Sequence, residues 1–494
     1  MRKHTIVPSL LLLGSLALAT ACSAGSPGTG VRESQAGSGA SSSASSEGSG
    51  EGPGGSAGAA VTGVEPARIK GLDIVTDSSE HSSCRYATSY PAVPGADAMT
   101  ASMKQYVTGR LKAFVDAECG SSGGGGAGEL NITYQFLVAS GDVLGVRLTT
   151  LDRASVGDGL ATSTYWYDGS AGAARTPLEL VSDHARKALI AAVEKQLTGR
   201  EGIDATQLRT TLAGSADQAN VLDDMVFTRD GGLRIDFDRD TVGVAAAGRY
   251  TVTLPRTTVT PLLSAFGKRA RNQTVSPSGS LDLGARSTPE VTAPAQADPG
   301  TDTTDCKQVK CVALTFDDGP AVPETATLLG YLAQYKARAT FFTVGQNVTA
   351  HPDLVRAEAK AGHEVGNHSW SHPDLTKLTS DQVAYQLSRT SAAIKAATGK
   401  EPTLFRPPYG AVNAKVRSAT TLSPVLWDID TEDWKYRDAA KVANTVITKA
   451  HRNSVVLLHD IHPTSVAAVP EILRTLTAQG FHFVTVSHLR ASIR

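Results

Sequence analysis

The residues best placed to do chemistry lie in the C-terminal part of the chain. Thr315-Phe-Asp-Asp-Gly-Pro320 sets two adjacent carboxylates, Asp317 and Asp318, at the end of an apolar run and against a Gly-Pro turn. Successive side chains of a regular strand point to opposite faces. A turn at the strand end lets both converge on one mouth, where one carboxylate can bind a cation and the other can move protons. An Asp-Gly turn with solvated side chains is the plainer alternative. His368-Ser-Trp-Ser-His372 follows a strand-like stretch at Glu364–Gly366. Histidines four apart fall on the same side of one helical turn, which is metal-ligand spacing. With a strand-end Asp they give two imidazoles and one carboxylate, leaving positions open for water and substrate. Non-haem iron oxygenases use the same ligand set, but on another architecture and without the acid–base residues that follow here.

Three further segments fit the same pattern. In Arg406-Pro-Pro-Tyr-Gly410 two prolines fix an extended, rigid turn. Arg406 can grip a carboxylate in bidentate fashion, and the Tyr409 backbone N–H is left to face a ligand. Asp430-Thr-Glu-Asp-Trp434 and Leu457-Leu-His-Asp460 each follow a strand-like run. His459 at a strand mouth can donate a proton; a buried histidine bonded to backbone is its plain alternative. His363, His451, His462, His482 and His488 lie outside these motifs and read as surface or packing residues, and Asp460 as support for its loop.

Such groups need elements that bring them to one place. Val312–Phe316, Ala339–Val344, Val425–Ile429, Val455–Leu458 and Phe481–Val486 read as strands. Glu324–Tyr335, Pro352–Ala361, Asp381–Ala397 and Val466–Gln479 read as helices. This alternation predicts a parallel α/β barrel, whose chemistry sits at the C-terminal ends of the strands. Polar clusters following successive predicted strands satisfy that placement.

The order of these motifs resembles the NodB-homology polysaccharide deacetylases, carbohydrate esterase family 4, from Cys311 to Arg494. The resemblance implies a distorted (β/α) barrel of the NodB-homology type, preceded by a smaller α+β domain. It implies that Asp318, His368 and His372 bind a divalent metal, zinc first, with Co²⁺ or another divalent ion as alternatives. Asp317 would be the general base for the attacking water and His459 the acid that protonates the departing amine. Arg406 would orient Asp317, and Asp433 would orient His459. The Tyr409 N–H would stabilise the oxyanion, and Trp434 and Leu457 would shape a pocket for the acetyl methyl.

The N-terminus reads as an export signal: Arg2, Lys3 and His4, an apolar Leu10–Leu18, then Ala19-Thr20-Ala21 before Cys22. The site resembles a bacterial lipobox, which would make Cys22 the lipidated first residue of a lipoprotein on the outer face of the membrane. Ordinary cleavage would leave a secreted protein with a free Cys22. Residues 22–65, largely Gly, Ser, Ala and Glu, predict a flexible tether. A second Ser/Pro/Thr/Ala-rich linker spans 269–305, and the two bracket a domain at 66–268 ahead of the catalytic residues 306–494. In that first domain Asn131–Val138, Val143–Leu151 and Thr162–Tyr167 read as strands and Ala185–Leu197 as a helix. His81 and His184 stand alone and read as surface residues. The stretches Gly232-Leu-Arg-Ile-Asp-Phe-Asp and Ala247-Gly-Arg-Tyr-Thr-Val-Thr-Leu-Pro are similar to the extracellular domain of lysozyme-sensing anti-sigma factors. That likeness implies lysozyme or wall binding by 66–268. Beyond Cys22, the four remaining cysteines allow three pairings. The local one, Cys84–Cys119 with Cys306–Cys311, suits an oxidising compartment, and the absence of a Cys-x-x-Cys pair disfavours structural zinc.

A formal net charge of −1 gives no basis for a nucleic-acid partner or a polybasic membrane patch. The expected function is hydrolysis of N-acetyl groups from peptidoglycan, at N-acetylglucosamine or N-acetylmuramic acid, with release of acetate. A chitin-oligosaccharide or acetylxylan deacetylase is the enzymatic alternative, and an envelope protein that binds lysozyme or glycan the non-enzymatic one.

Overall fold

A computed structural model describes residues 65–80, 84–119, 128–153, 159–214, 221–284 and 300–494. The export signal, Cys22, residues 22–64 of the first linker, residues 285–299 of the second and His81 lie outside these residues. Residues 65–284 build two sheets. The first has six strands in sequential order: β1 (Asp73–Ser79), β2 (Arg85–Ala92), β3 (Glu129–Ser140), β4 (Val143–Asp152), β5 (Leu160–Asp168) and β6 (Ala173–Arg175). Every neighbouring pair is antiparallel except β2–β3. A parallel pair needs a crossover, and the helix Asp97–Glu118 provides it, burying Met99, Met103, Val107 and Phe114. Cys84 and Cys119 are joined across that crossover. The second sheet, β7 (Met225–Phe227), β8 (Leu233–Phe237) and β9 (Tyr250–Leu254), is antiparallel and shares a core with the helix Arg186–Leu197. His184 is exposed.

The boundary drawn at residue 268 from composition is displaced. The helix Ala265–Val275 runs through it, capped by Ser264 and burying Phe266 and Ala270 against the second sheet. Polar side chains on one face of a half-buried helix gave that segment a linker's composition.

Residues 300–494 form a parallel sheet. Its strands are β10 (Lys310–Asp317), β11 (Ala339–Thr343), β12 (Glu364–Asn367), β13 (Leu404–Phe405), β14 (Ser423–Pro424), β15 (Ile429–Asp430), β16 (Ser454–His459) and β17 (Phe481–Phe483). They run in the order β14-β13-β12-β11-β10-β16-β15, with β17 beside the start of β10. β14 and β15 end the two sides without pairing with each other, so the sheet is a curled, open version of the expected barrel. A parallel strand covered on both faces reads as a continuous apolar run, and every residue of β10 after Lys310 is buried. Helices Glu324–Gln334, Ala439–Lys449 and Pro463–Ala478 pack their apolar residues against Val312, Leu314, Phe316, Val456 and Leu458. The helix Ser380–Thr398 starts with a reciprocal Thr379/Gln382 cap and stops at Gly399, whose φ of 77° only glycine adopts without strain.

Two strand expectations are corrected. Val425–Ile429 is not one strand but an irregular link between β14 and β15, and the last strand is β17, which gives way to a helix at Val486–Ile493. Apolar residues in both places serve buried loop and helix positions. Cys306 is joined to Cys311. His488 Nε2 donates to the Thr304 carbonyl at 2.7 Å, so the C-terminal unit takes in residues upstream of 306. No helix among the described residues is long and apolar enough to cross a membrane.

Candidate metal centre and acid–base site

The strand register assembles the site. β10 and β16 are adjacent, with Asp317 and His459 paired across them as the last residues of each. β12 ends at Asn367, level with Phe405 of β13, so His368 and Arg406 leave the sheet side by side. Beyond Asp317 the chain turns at once: Asp318 has φ 73°, a conformation that non-glycine residues rarely adopt. That turn swings the second carboxylate to the same mouth as the first. The turn is also crowded, since a Cβ on Gly319 would collide with the Asp460 carboxylate. Asp460 is buried and accepts from the Thr325 hydroxyl, holding the turn from behind.

The two histidines meet by another route than expected. Residues 368–372 form no helical turn; they are a loop with φ 64° at Ser369 and 56° at His372. Asn367 accepts from the Ser369 amide, Ser369 from the His372 amide, and Gln386 from the amides of Trp370 and Ser371. The spacing signalled a shared site, but these hydrogen bonds create it. The imidazole centroids are 4.8 Å apart. His368 Nδ1 donates to the Arg406 carbonyl at 2.7 Å, which fixes the tautomer and leaves the Nε2 lone pair facing the site.

Asp318 Oδ1 lies 3.5 Å from His368 Nε2 and 3.4 Å from His372 Nε2. Ligand atoms ~2.0–2.2 Å from a tetrahedral Zn²⁺ stand about 3.3–3.6 Å apart, so these three residues fit a small divalent cation. Asp318 Oδ1 and His368 Nε2 are also buried without a hydrogen-bond partner, an arrangement that would cost about 1–3 kcal/mol per group if nothing were bound. Burial alone would raise the Asp318 pKa, but the imidazoles of His372 and His368 hold it down to about 2.

Two buried pairs flank this centre. Arg406 Nη1 donates to Asp317 Oδ1 at 2.8 Å and to Thr315 Oγ1 at 2.7 Å. The expected bidentate grip is not formed, because Arg406 Nε and Nη2 turn to the carbonyls of Val425 and Leu426. Asp317 Oδ2 is left without a hydrogen-bond partner, 3.8 Å from His368 Nε2. Burial lifts the Asp317 pKa to about 7 against the opposing pull of Arg406. On the other side, His459 Nδ1 donates to Asp433 Oδ1 at 2.8 Å, and its Nε2 is buried without a partner. Burial would depress the imidazole; Asp433 overrides it and raises the pKa to about 10. A buried base near neutrality and a buried acid that keeps its proton stand on adjacent strands, with the candidate cation centre beside the base.

The remaining predicted residues, Tyr409, Trp434 and Leu457, are buried. Tyr409 has a left-handed backbone (φ 60°) and packs its ring edge-on to His372 at 4.8 Å, its hydroxyl donating to the His372 carbonyl at 3.4 Å. Trp434 is buried in the helix Asp433–Tyr436. Leu457 shares a strand face with His459 and is buried. Two groups of the site lack any sequence signal. His462 is buried with its ring 5.7 Å from that of His459. Glu80, from the end of β1, places Oε1 3.2 Å from His372 Nε2. It forms with His368 and His372 a buried cluster whose ligand atoms all lie within 4.8 Å of one another.

The family described as polysaccharide deacetylase matches residues 304–423. A peptidoglycan-N-acetylglucosamine deacetylase of Bacillus cereus is 40% identical over 190 residues, which are 36% of this chain and 69% of that protein. This chain belongs to the polysaccharide deacetylase family. Peptidoglycan-N-acetylglucosamine deacetylase PgdA of Listeria monocytogenes is 45% identical over 183 residues, 37% of this chain and 39% of that protein. Peptidoglycan-N-acetylmuramic acid deacetylase PdaC of Bacillus subtilis is 44% identical over 191 residues, 39% of this chain and 41% of that one. The chain thus spans about two fifths of the length of these two relatives. A divalent cation held by Asp318, His368 and His372 would polarise a bound carbonyl and acidify water.

Proposed function

We propose that this chain hydrolyses N-acetyl groups from an aminosugar polymer of the cell wall, peptidoglycan, with release of acetate. One observation carries the reading: a three-residue cation centre with a base, Asp317, beside it and an acid, His459, on the next strand. Asp317 Oδ2 takes the proton of the attacking water while Arg406 holds the other oxygen. His459 Nε2 gives its proton to the departing amine, and Asp433 stabilises the imidazolium until that moment. Tyr409 supplies its backbone N–H to the oxyanion, and Trp434 and Leu457 enclose the acetyl methyl. Zinc is the proposed metal, since two imidazoles, one carboxylate and an open position suit it.

Peptidoglycan is favoured over chitin oligomers and acetylxylan because the relatives above are named for its N-acetylglucosamine and N-acetylmuramic acid. The proposed setting is the outer face of the membrane, reached by the export signal and held through Cys22 and the 22–65 tether. Both disulfides agree with an oxidising compartment. Acetate release from peptidoglycan, chitin oligomers and acetylxylan, assayed side by side with zinc-loaded protein, tests the reading. Release from none of them would overturn it, and a preference for acetylxylan would replace the substrate.

A further inference from the structure

The groups assigned to catalysis are shut away from solvent. Asp317, His368 and His459 are 0% exposed, Asp318 1% and His372 3%. A polymer's acetamide has to reach them, and what covers them is the N-terminal sheet. The Ser78 hydroxyl donates to Asp318 Oδ2. Glu80 reaches His372 with a side chain that is itself 1% exposed. Asn131 Nδ2 of β3 donates to the carbonyls of Ser371 and His372 at 2.9 and 3.2 Å, pinning the histidine loop. Farther out, Glu129 accepts from the Asp374 amide at 2.6 Å, and Arg437 donates to Asp77 at 2.6 Å.

The chemistry of Glu80 is specific to what it covers. Its carboxylate is an acetate group on a tether, the same pair of oxygens that deacetylation releases. Its Oε1 lies 3.2 Å from His372 Nε2, while its Oε2 is buried without a hydrogen-bond partner. A cation between the imidazoles and Asp318 would supply a positive partner. A tethered ligand also acts at an effective concentration in the millimolar range or above, so it can compete with a soluble or polymeric substrate. The contacts that seat it are hydrogen bonds and ion pairs. The apolar clusters around β10 and β16 draw all their residues from 306 onward. Ala350 is the catalytic-side residue in the apolar cluster of the N-terminal sheet. Polar contacts of this kind allow relative motion of the two parts.

We propose that Glu80 is a further ligand of the cation held by Asp318, His368 and His372, delivered by the N-terminal region, and that it keeps the acetamide site closed until the edge of β1 lifts away. The full chain is then a latent enzyme. The ligand claim stands on metal binding alone; the latency claim rests on the deacetylase reading.

The test compares the full chain with its Glu80→Gln variant, which keeps the shape and removes the charge. Zn²⁺ affinity is read by competition with a chromophoric chelator, the ligand field by the visible spectrum of the Co²⁺-loaded protein. Acetate release from a soluble N-acetylglucosamine oligomer is measured at saturating Zn²⁺. The expected result is at least tenfold weaker Zn²⁺ binding, a changed Co²⁺ spectrum and a several-fold rise in kcat/KM. Unchanged affinity and spectrum in a variant with a cooperative melt overturn the ligand assignment. Weakened metal binding with kcat/KM equal or lower at saturation overturns latency. If Glu80→Gln does not fold, Arg437→Ala and Asn131→Ala loosen the same sheet from its rim; kcat/KM unmoved in both overturns latency by that route. Weakened metal binding with no acetate released from any glycan, in any variant, sinks the deacetylase reading and leaves the ligand assignment standing.

Discussion

Asp433 holds His459 at two points: Oδ1 accepts from the imidazole Nδ1 and Oδ2 from the His459 backbone amide, both at 2.8 Å. The first bond sets the charge of the ring and the second sets its place, so the two effects can be separated by mutation. Asp433→Asn keeps the shape and removes the charge. The His459 pKa, raised to about 10 mainly by this carboxylate against the effect of burial, should fall. The basic limb of the kcat/KM profile should then move to lower pH, since it reports loss of the acid's proton in the free enzyme. An unmoved limb with a uniform drop in rate would leave Asp433 a purely structural residue.

The same pair predicts how stability follows pH. The folded pKa of His459 lies above its unfolded value, so its contribution is full below ~6.5 and is lost as pH rises through about 10. The Asp433 carboxyl is pushed down by His459 despite its burial. Its contribution is present above ~3.9 and is lost as pH falls toward its depressed value. Thermal melts of wild type and Asp433→Asn should therefore differ most between about pH 4 and 6.5, and the difference should shrink as pH rises toward about 10 or falls below about 3.9. A constant difference at every pH would refute this linkage.

Asp317 and Asp318 should part company on mutation. Asp317→Asn removes the acceptor for the water's proton but leaves the Asp318 and imidazole atoms in place. It should keep its Zn²⁺ content and lose on the order of 10²–10⁴-fold in kcat. Metal analysis of the purified variant decides the point: loss of metal together with activity would reverse the roles of the two neighbours.

Asp318→Ala and His368→Ala should each lose both bound metal and turnover. Dialysis of the wild type against a chelator should abolish activity, and Zn²⁺ or Co²⁺ should restore it. Full activity in a sample verified as metal-free would end the mechanism proposed here.

A fragment starting at Gly300 should fold alone, because the cores around β10, β12 and β16 draw on residues from 306 onward and the Cys306–Cys311 bridge lies within it. It should melt cooperatively, bind Zn²⁺ and release acetate from a soluble oligomer at least as fast as the full chain, since it lacks Glu80. A folded but inactive fragment would mean that the N-terminal region completes the site.

The sequence by itself determined where the candidate residues fall along the chain. Asp317, His368, Arg406, Asp433 and His459 each sit within a few residues of a strand end. Local pattern reveals strand ends because a buried parallel strand must be apolar and its mouth need not be. Tertiary structure decided what local pattern does not encode. His368 and His372 converge through a loop with two left-handed residues held by Asn367 and Gln386, where their spacing suggested a helical turn. Arg406 divides its donors between one carboxylate oxygen, Thr315 and two backbone carbonyls. Glu80 is the furthest case, 292 residues from the imidazole it faces. In Asp-Ser-Ser-Glu80 it looks like a polar strand end bound for solvent. Only the docking of one sheet on the mouth of another turns it toward His372, and such docking depends on the complementarity of two assembled surfaces.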